Sequence, residues 1–134
     1  MSVRLYTLDE ARETLPVIRP VLEELVEASQ QLARLQQEVS TTRRATLADG
    51  NLVADPWDET PEEEAPLAEA QATVERCLAE LNGRGIEVKD PGRGLIDFYH
   101  EREGQVVYLC YLLGEPDIEY WHTLEGGFAG RQPI

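Results

Sequence analysis

Gly94–Arg131, GLIDFYHEREGQVVYLCYLLGEPDIEYWHTLEGGFAGR, is the stretch whose reading decides the fold. Inside it, Val106–Leu113 is the one long unbroken apolar run of the chain. Turn-rich segments flank that run at Glu101–Gly104 and Gly114–Asp117. The pattern predicts three strands, Leu95–Tyr99, Gln105–Leu113 and Ile118–His122, joined as an antiparallel meander. A strand that is apolar at successive positions presents hydrophobic side chains to both faces of its sheet. The middle strand is therefore expected to be central and covered on both sides.

Working outward, Lys89–Gly94 reads as a turn-rich loop and Ile86–Val88 as a further short strand candidate. Before these, two segments carry helical spacing. Thr7 with Glu10 makes a capping box, and Leu8, Ala11, Leu15, Ile18, Leu22 and Leu25 follow a three-and-four repeat. Pro16 is expected to break or kink this helix near Leu15, leaving a short helix and then a long one ending around Val39–Arg44. Thr60-Pro61-Glu62-Glu63 starts a second helix whose seam is Leu67, Ala70, Val74, Cys77 and Leu81, with Asn82-Gly83 at its end. The expected fold is α+β: a long antiparallel helical hairpin packed on a small three-stranded antiparallel β-meander at the C-terminus. One domain spans 1–134, with a helical part at 7–83 and the sheet and glycine-rich tail at 84–134. The hairpin covers one face of the sheet. The other cover is either the tail or a second copy of the chain, which makes a homodimer an expectation.

Composition narrows the function classes. The 134 residues include 12 basic and 26 acidic side chains, a formal charge of −14. Such a field repels phosphates and anionic head groups, so neither nucleic acid nor membrane is expected as a partner. The N-terminus lacks the apolar core of a secretory signal, and a cytoplasmic location is the expectation. Cys77 and Cys110 fall on a helix seam and a strand, as buried reduced thiols do.

Several segments together resemble one family. They are Tyr6–Ala11 followed by Leu15-Pro16, then Lys89–Phe98, Tyr108–Cys110, Gly114–Ile118 and Trp121–Arg131. They are similar to the bacterial family filed as domain of unknown function 2203, over nearly the whole chain. The resemblance implies a small cytosolic bacterial protein and brings no catalytic residue with it.

Candidate chemistry gathers after the last strand. His122 and Glu125 have an H-x-x-E spacing that can share a divalent metal if the backbone turns there, with Asp97, Glu115 and His100 as further ligand candidates. Strand register decides which of them join. Pairing Tyr99 with Val106 turns Asp97 away from His122. A shift of one residue puts both on one face, still about 10 Å apart across two strands. The tail offers a second candidate: Gly127 and Gly130 as a backbone anion cradle, with Arg131 and Arg93 as cations. The plainer reading has Phe128 filling an apolar gap and Arg131 paired with a carboxylate. Trp121, Tyr120, Phe128 and Trp57 are interface candidates. A Leu113–Ile118 pairing would turn Cys110 away from His122 and disfavour a cysteine–histidine nucleophile.

No recognisable catalytic set emerges. The leading expectation is a non-enzymatic binding or assembly module, a homodimer meeting an unknown protein or small molecule. The alternatives are a small metal-dependent hydrolase-like enzyme around His122 and Glu125, and a small-anion-binding protein using Arg93 and Arg131.

Overall fold

A computed structural model describes residues 3–48 and 61–134. Thr7 and Glu10 close the expected capping box. The Thr7 N–H donates to Glu10 Oε1 at 3.0 Å, and the Glu10 N–H donates to Thr7 Oγ1 at 3.1 Å. From this start α1 runs Leu8–Ala48 without interruption, so the break expected at Pro16 does not occur. The reason lies in position. Pro16 and Pro20 sit one turn apart on the exposed side of the helix, where water can serve the carbonyls they leave unpaired. Ala11, Leu15, Ile18, Leu22 and Leu25 point the other way into the core.

Helix α2, Pro61–Gly83, returns antiparallel and contributes Cys77 and Leu81 to the same core. The Thr60 cap and Trp57 lie outside the described residues. Arg12 fastens α1 to the distant end of the chain, donating from Nε and Nη2 to the Ile118 carbonyl.

Five strands follow rather than three: β1 Ile86–Asp90, β2 Leu95–Arg102, β3 Gln105–Leu112, β4 Tyr120–His122 and β5 Gln132–Pro133. They form one sheet in sequence order, each antiparallel to the next. The three central strands match the expected meander. The additions are Ile86–Asp90 at one edge and a two-residue strand at the other, where the tail doubles back beside β4.

Register carries the main correction. Glu103 and Gly104 both have positive φ, 52° and 80°, and make a two-residue turn in which Arg102 pairs with Gln105. A two-residue turn of this hand suits the twist of antiparallel strands. It places Asp97 opposite Cys110, a register different from both sequence alternatives. The next hairpin pairs Cys110 with Tyr120 and Tyr108 with His122, one residue away from the expected Leu113–Ile118 alignment. A slip of one residue reverses every side chain. Cys110 and His122 therefore share a face, contrary to expectation.

The two faces are unlike. Ile86, Ile96, Phe98, Leu109 and Tyr111 point to the helices and are at most 1% exposed. The opposite face carries Glu87, Lys89, Asp97, Tyr99, Tyr108, Cys110, Tyr120 and His122. Four of these, Asp97, Tyr108, Cys110 and His122, are no more than 5% exposed. That cover exists within a single chain, so this face does not by itself call for a second copy.

Gly94 joins the sheet to the helices at close range. Its φ is +73°, and an added Cβ would lie 2.7 Å from Leu113 Cβ and 2.9 Å from Val26 Cγ2. A side chain there meets both a disfavoured backbone and two packed neighbours. Gly94→Ala should cost roughly 1–3 kcal/mol of folding stability, read as a lower urea midpoint at unchanged slope. An unchanged midpoint would mean that the turn relaxes freely.

Candidate metal centre

The site is built by strand alternation. Asp97 and Cys110 are direct cross-strand partners on β2 and β3, while Tyr108 and His122 are partners on β3 and β4. Asp97 and His122 thus stand diagonally across β3. Two inter-strand steps separate their backbones by about 10 Å, and the two side chains lean toward each other over β3 to close that gap. His122 Nε2 lies 2.9 Å from Asp97 Oδ1, with the side chains 2% and 1% exposed. The Cys110 side chain lies beside the Asp97 carboxyl, its cross-strand neighbour on the same face. One ligand atom from each of Asp97, Cys110 and His122 lies within 4.8 Å of the others.

The histidine tautomer follows from its second contact. Nδ1 is 2.7 Å from the Thr123 carbonyl oxygen, which can only accept. Nδ1 therefore carries the proton and Nε2 faces Asp97, so one proton between Nε2 and Oδ1 completes the pair. Burial raises the Asp97 carboxyl above its ordinary range, against the opposing pull of His122. Burial and the neighbouring Asp97 charge push the Cys110 thiol up to about 12. A thiol so placed is a poor free nucleophile.

Beside this trio a second group is fully paired. Tyr99 and Tyr108 hydroxyls donate to Glu87 Oε2 at 2.9 and 2.6 Å, and Lys89 donates to Oε1 at 2.7 Å. Burial works to raise the Glu87 carboxyl, but these three donors outweigh it and hold it below the usual range. The Tyr108 hydroxyl is raised by burial and by Glu87. Its ring packs 5.3 Å from that of His122, forming one wall of the site.

The other sequence candidates divide. Glu125 is exposed on the turn after Thr123, where the Gly126 N–H donates to Thr123 Oγ1 at 3.0 Å, so the H-x-x-E pair does not chelate. Glu115 accepts from Arg131 Nη2 on both oxygens at 2.6 and 2.8 Å, and from the Leu112 N–H at 2.7 Å. His100 projects from the helix-facing side and is held through Nδ1 by the Tyr6 carbonyl at 2.7 Å. The glycine cradle is closed: Gly130 and Arg131 N–H groups are bonded within the 3-10 turn Phe128–Gly130. Arg93 and Arg131 do converge, one at 5.3 Å and the other at 4.8 Å from the Phe128 ring centroid. Phe128 is 39% exposed and serves as their shared platform rather than as a plug. The interface set separates as well. Trp121 packs on the helix side against the core, whereas Tyr120 lies on the other face under Arg131.

Cys110 is the residue that sequence reasoning set aside. Reading Glu103-Gly104 as a two-residue turn would have placed Asp97 opposite Cys110, but the face shared by Cys110 and His122 is set by the β3–β4 hairpin. The model of the family described as "Uncharacterized conserved protein (DUF2203)" matches residues 4–134. The chain belongs to the DUF2203 family. No curated protein and no solved structure matches this DUF2203 chain. Among its described residues no helix is long and apolar enough to cross a membrane.

The raised Asp97 carboxyl sets a pH dependence for the DUF2203 chain. Its folded pKa lies above the unfolded value of about 3.9, so the stability it contributes is full below that pH and is lost as pH rises through the folded value. Asp97→Asn keeps a donor to His122 Nε2 and removes the titration. Measured in chelator by urea unfolding, the stability of wild type minus that of Asp97→Asn should fall as pH rises from about 4 to 7. A difference that grows with pH would reverse the assignment.

Proposed function

We propose that this DUF2203 chain is a metal-binding protein that holds a zinc-class divalent ion between Asp97, Cys110 and His122. The observation that carries the reading is the convergence of one carboxylate oxygen, one sulfur and one imidazole nitrogen of three buried residues, with the far imidazole nitrogen tied to a backbone carbonyl. Metal-ligating histidines are oriented by such a bond to their other nitrogen. In this reading the ion takes the place of the proton between Asp97 and His122. Tetrahedral zinc sets its ligands about 3.4–3.7 Å apart, so that pair opens by about 0.5–0.8 Å.

The donor set selects the metal. Thiolate and imidazole favour zinc, cobalt or ferrous iron over magnesium and calcium, which want oxygen ligands. The ion also accounts for Cys110. Its high thiol pKa suits neither free nucleophile nor redox sensor, whereas a bound cation supplies the charge that a buried thiolate needs. Three protein ligands are the number found in catalytic zinc sites, and this favours a metal-dependent enzyme over a purely structural ion. Glu125 has no part in this version of the hydrolase-like reading.

Calorimetric titration of the metal-free chain with zinc at pH 7, in two buffers of different ionisation heat, tests the proposal. One ion per chain should bind with Kd below about 1 μM and release about two protons, one from the Asp97–His122 pair and one from Cys110. Cys110→Ala and His122→Asn should each weaken binding by about 100-fold or more. Binding indifferent to both substitutions would remove the proposal.

A further inference from the structure

Asp97, Cys110 and His122 supply three ligands where tetrahedral zinc takes four. Among the described residues no fourth histidine, cysteine or acid joins the group. Glu115 is committed to Arg131 and to the Leu112 N–H. We propose that the remaining coordination position takes a small monoanionic carboxylate whose second anchor is the Arg131 guanidinium. The inference rests on the metal reading above.

Arg131 is held over the strand position next to Cys110. Its guanidinium lies 4.1 Å from the ring centroid of Tyr120, and Tyr120 is the cross-strand partner of Cys110 on the same face. Phe128 bounds the guanidinium from another side at 4.8 Å, and Glu115 holds Nη2. A guanidinium fixed by two rings and a carboxylate loses little freedom on meeting a ligand. Its Nε–H is buried and has no acceptor. Buried N–H donors without acceptors are rare in folded proteins and call for an explanation.

Charge selects the class of anion. A divalent ion cancels Asp97 and a thiolate at Cys110, and Arg131 cancels Glu115. Arg93, on the same Phe128 ring, adds one positive charge. One negative charge from a ligand completes the balance, while a dianion would exceed it in a poorly hydrated place. A carboxylate offers one oxygen to the metal and the other to Nε–H, a charge-assisted hydrogen bond. Within a chain of formal charge −14, two arginines gathered at one ring form a local exception suited to an anion.

Cobalt in place of zinc makes the coordination visible by absorption. Acetate added to the cobalt-loaded full chain should shift the ligand-field bands saturably, and phosphate should bind about tenfold more weakly or not at all. Arg131→Gln should weaken acetate by about tenfold or more while cobalt affinity stays within about twofold, which also reports that the three strands remain assembled. Arg131→Lys keeps the charge without the planar fork and should weaken acetate by an intermediate factor. Failure of cobalt to bind wild type would defeat the metal reading and this inference together. Cobalt bound with bands indifferent to acetate, acetate affinity unchanged in both Arg131 variants, or phosphate bound as tightly as acetate would each overturn the inference alone.

Discussion

One hydrogen bond, between Asp97 Oδ1 and His122 Nε2, constrains much of what surrounds it. Both groups are shielded from water, and a buried carboxylate or imidazole without a partner is costly. The pair therefore needs β2, β3 and β4 in one register only. A slip of a single residue in either hairpin would send Asp97 or His122 into the apolar helix-facing layer. The two-residue turn at Glu103-Gly104 and the Arg12 bonds to the Ile118 carbonyl act on that register from opposite ends of the meander. Arg131, Tyr120 and Glu115 then form the wall beside Cys110.

Stability alone does not account for such a pair. Buried ionisable pairs rarely stabilise more than well-packed apolar residues of similar size, and they lose several kcal/mol when one partner goes. The opposite face of the same sheet shows the apolar solution, with Ile96, Phe98 and Leu109 at most 1% exposed. The contrast between the faces is the physical basis for placing function on the helix-free one. There the ionisable groups converge, whereas among the described helix residues no acid or arginine is buried.

The fold was largely legible in the sequence because helix and strand periods report burial directly. The helix seams and the two-sided burial of Val107–Tyr111 follow from the spacing of apolar residues. What escaped depended on parity and on solvent. Continuity of α1 through Pro16 turns on which side of the helix the proline occupies, and that depends on the tertiary arrangement. The candidate site was half legible. Asp97 and His122 were candidates, but Cys110 was set against His122 because a β3–β4 register read one residue off inverts a strand. The pairing of Glu115 with Arg131 agrees with the plainer reading of the tail. Glu125 failed because proximity in sequence, on a turn that faces outward, is not proximity in space.

Asp97, Cys110 and His122 are proposed to form one metal-ligand set. Zinc K-edge X-ray absorption on the zinc-reconstituted chain tests it most directly. One sulfur scatterer is expected at about 2.3 Å, with nitrogen and oxygen neighbours at about 2.0–2.2 Å that include an imidazole. A first shell of nitrogen and oxygen only, with no sulfur, would contradict it and return Cys110 to the role of a buried thiol beside an Asp–His pair.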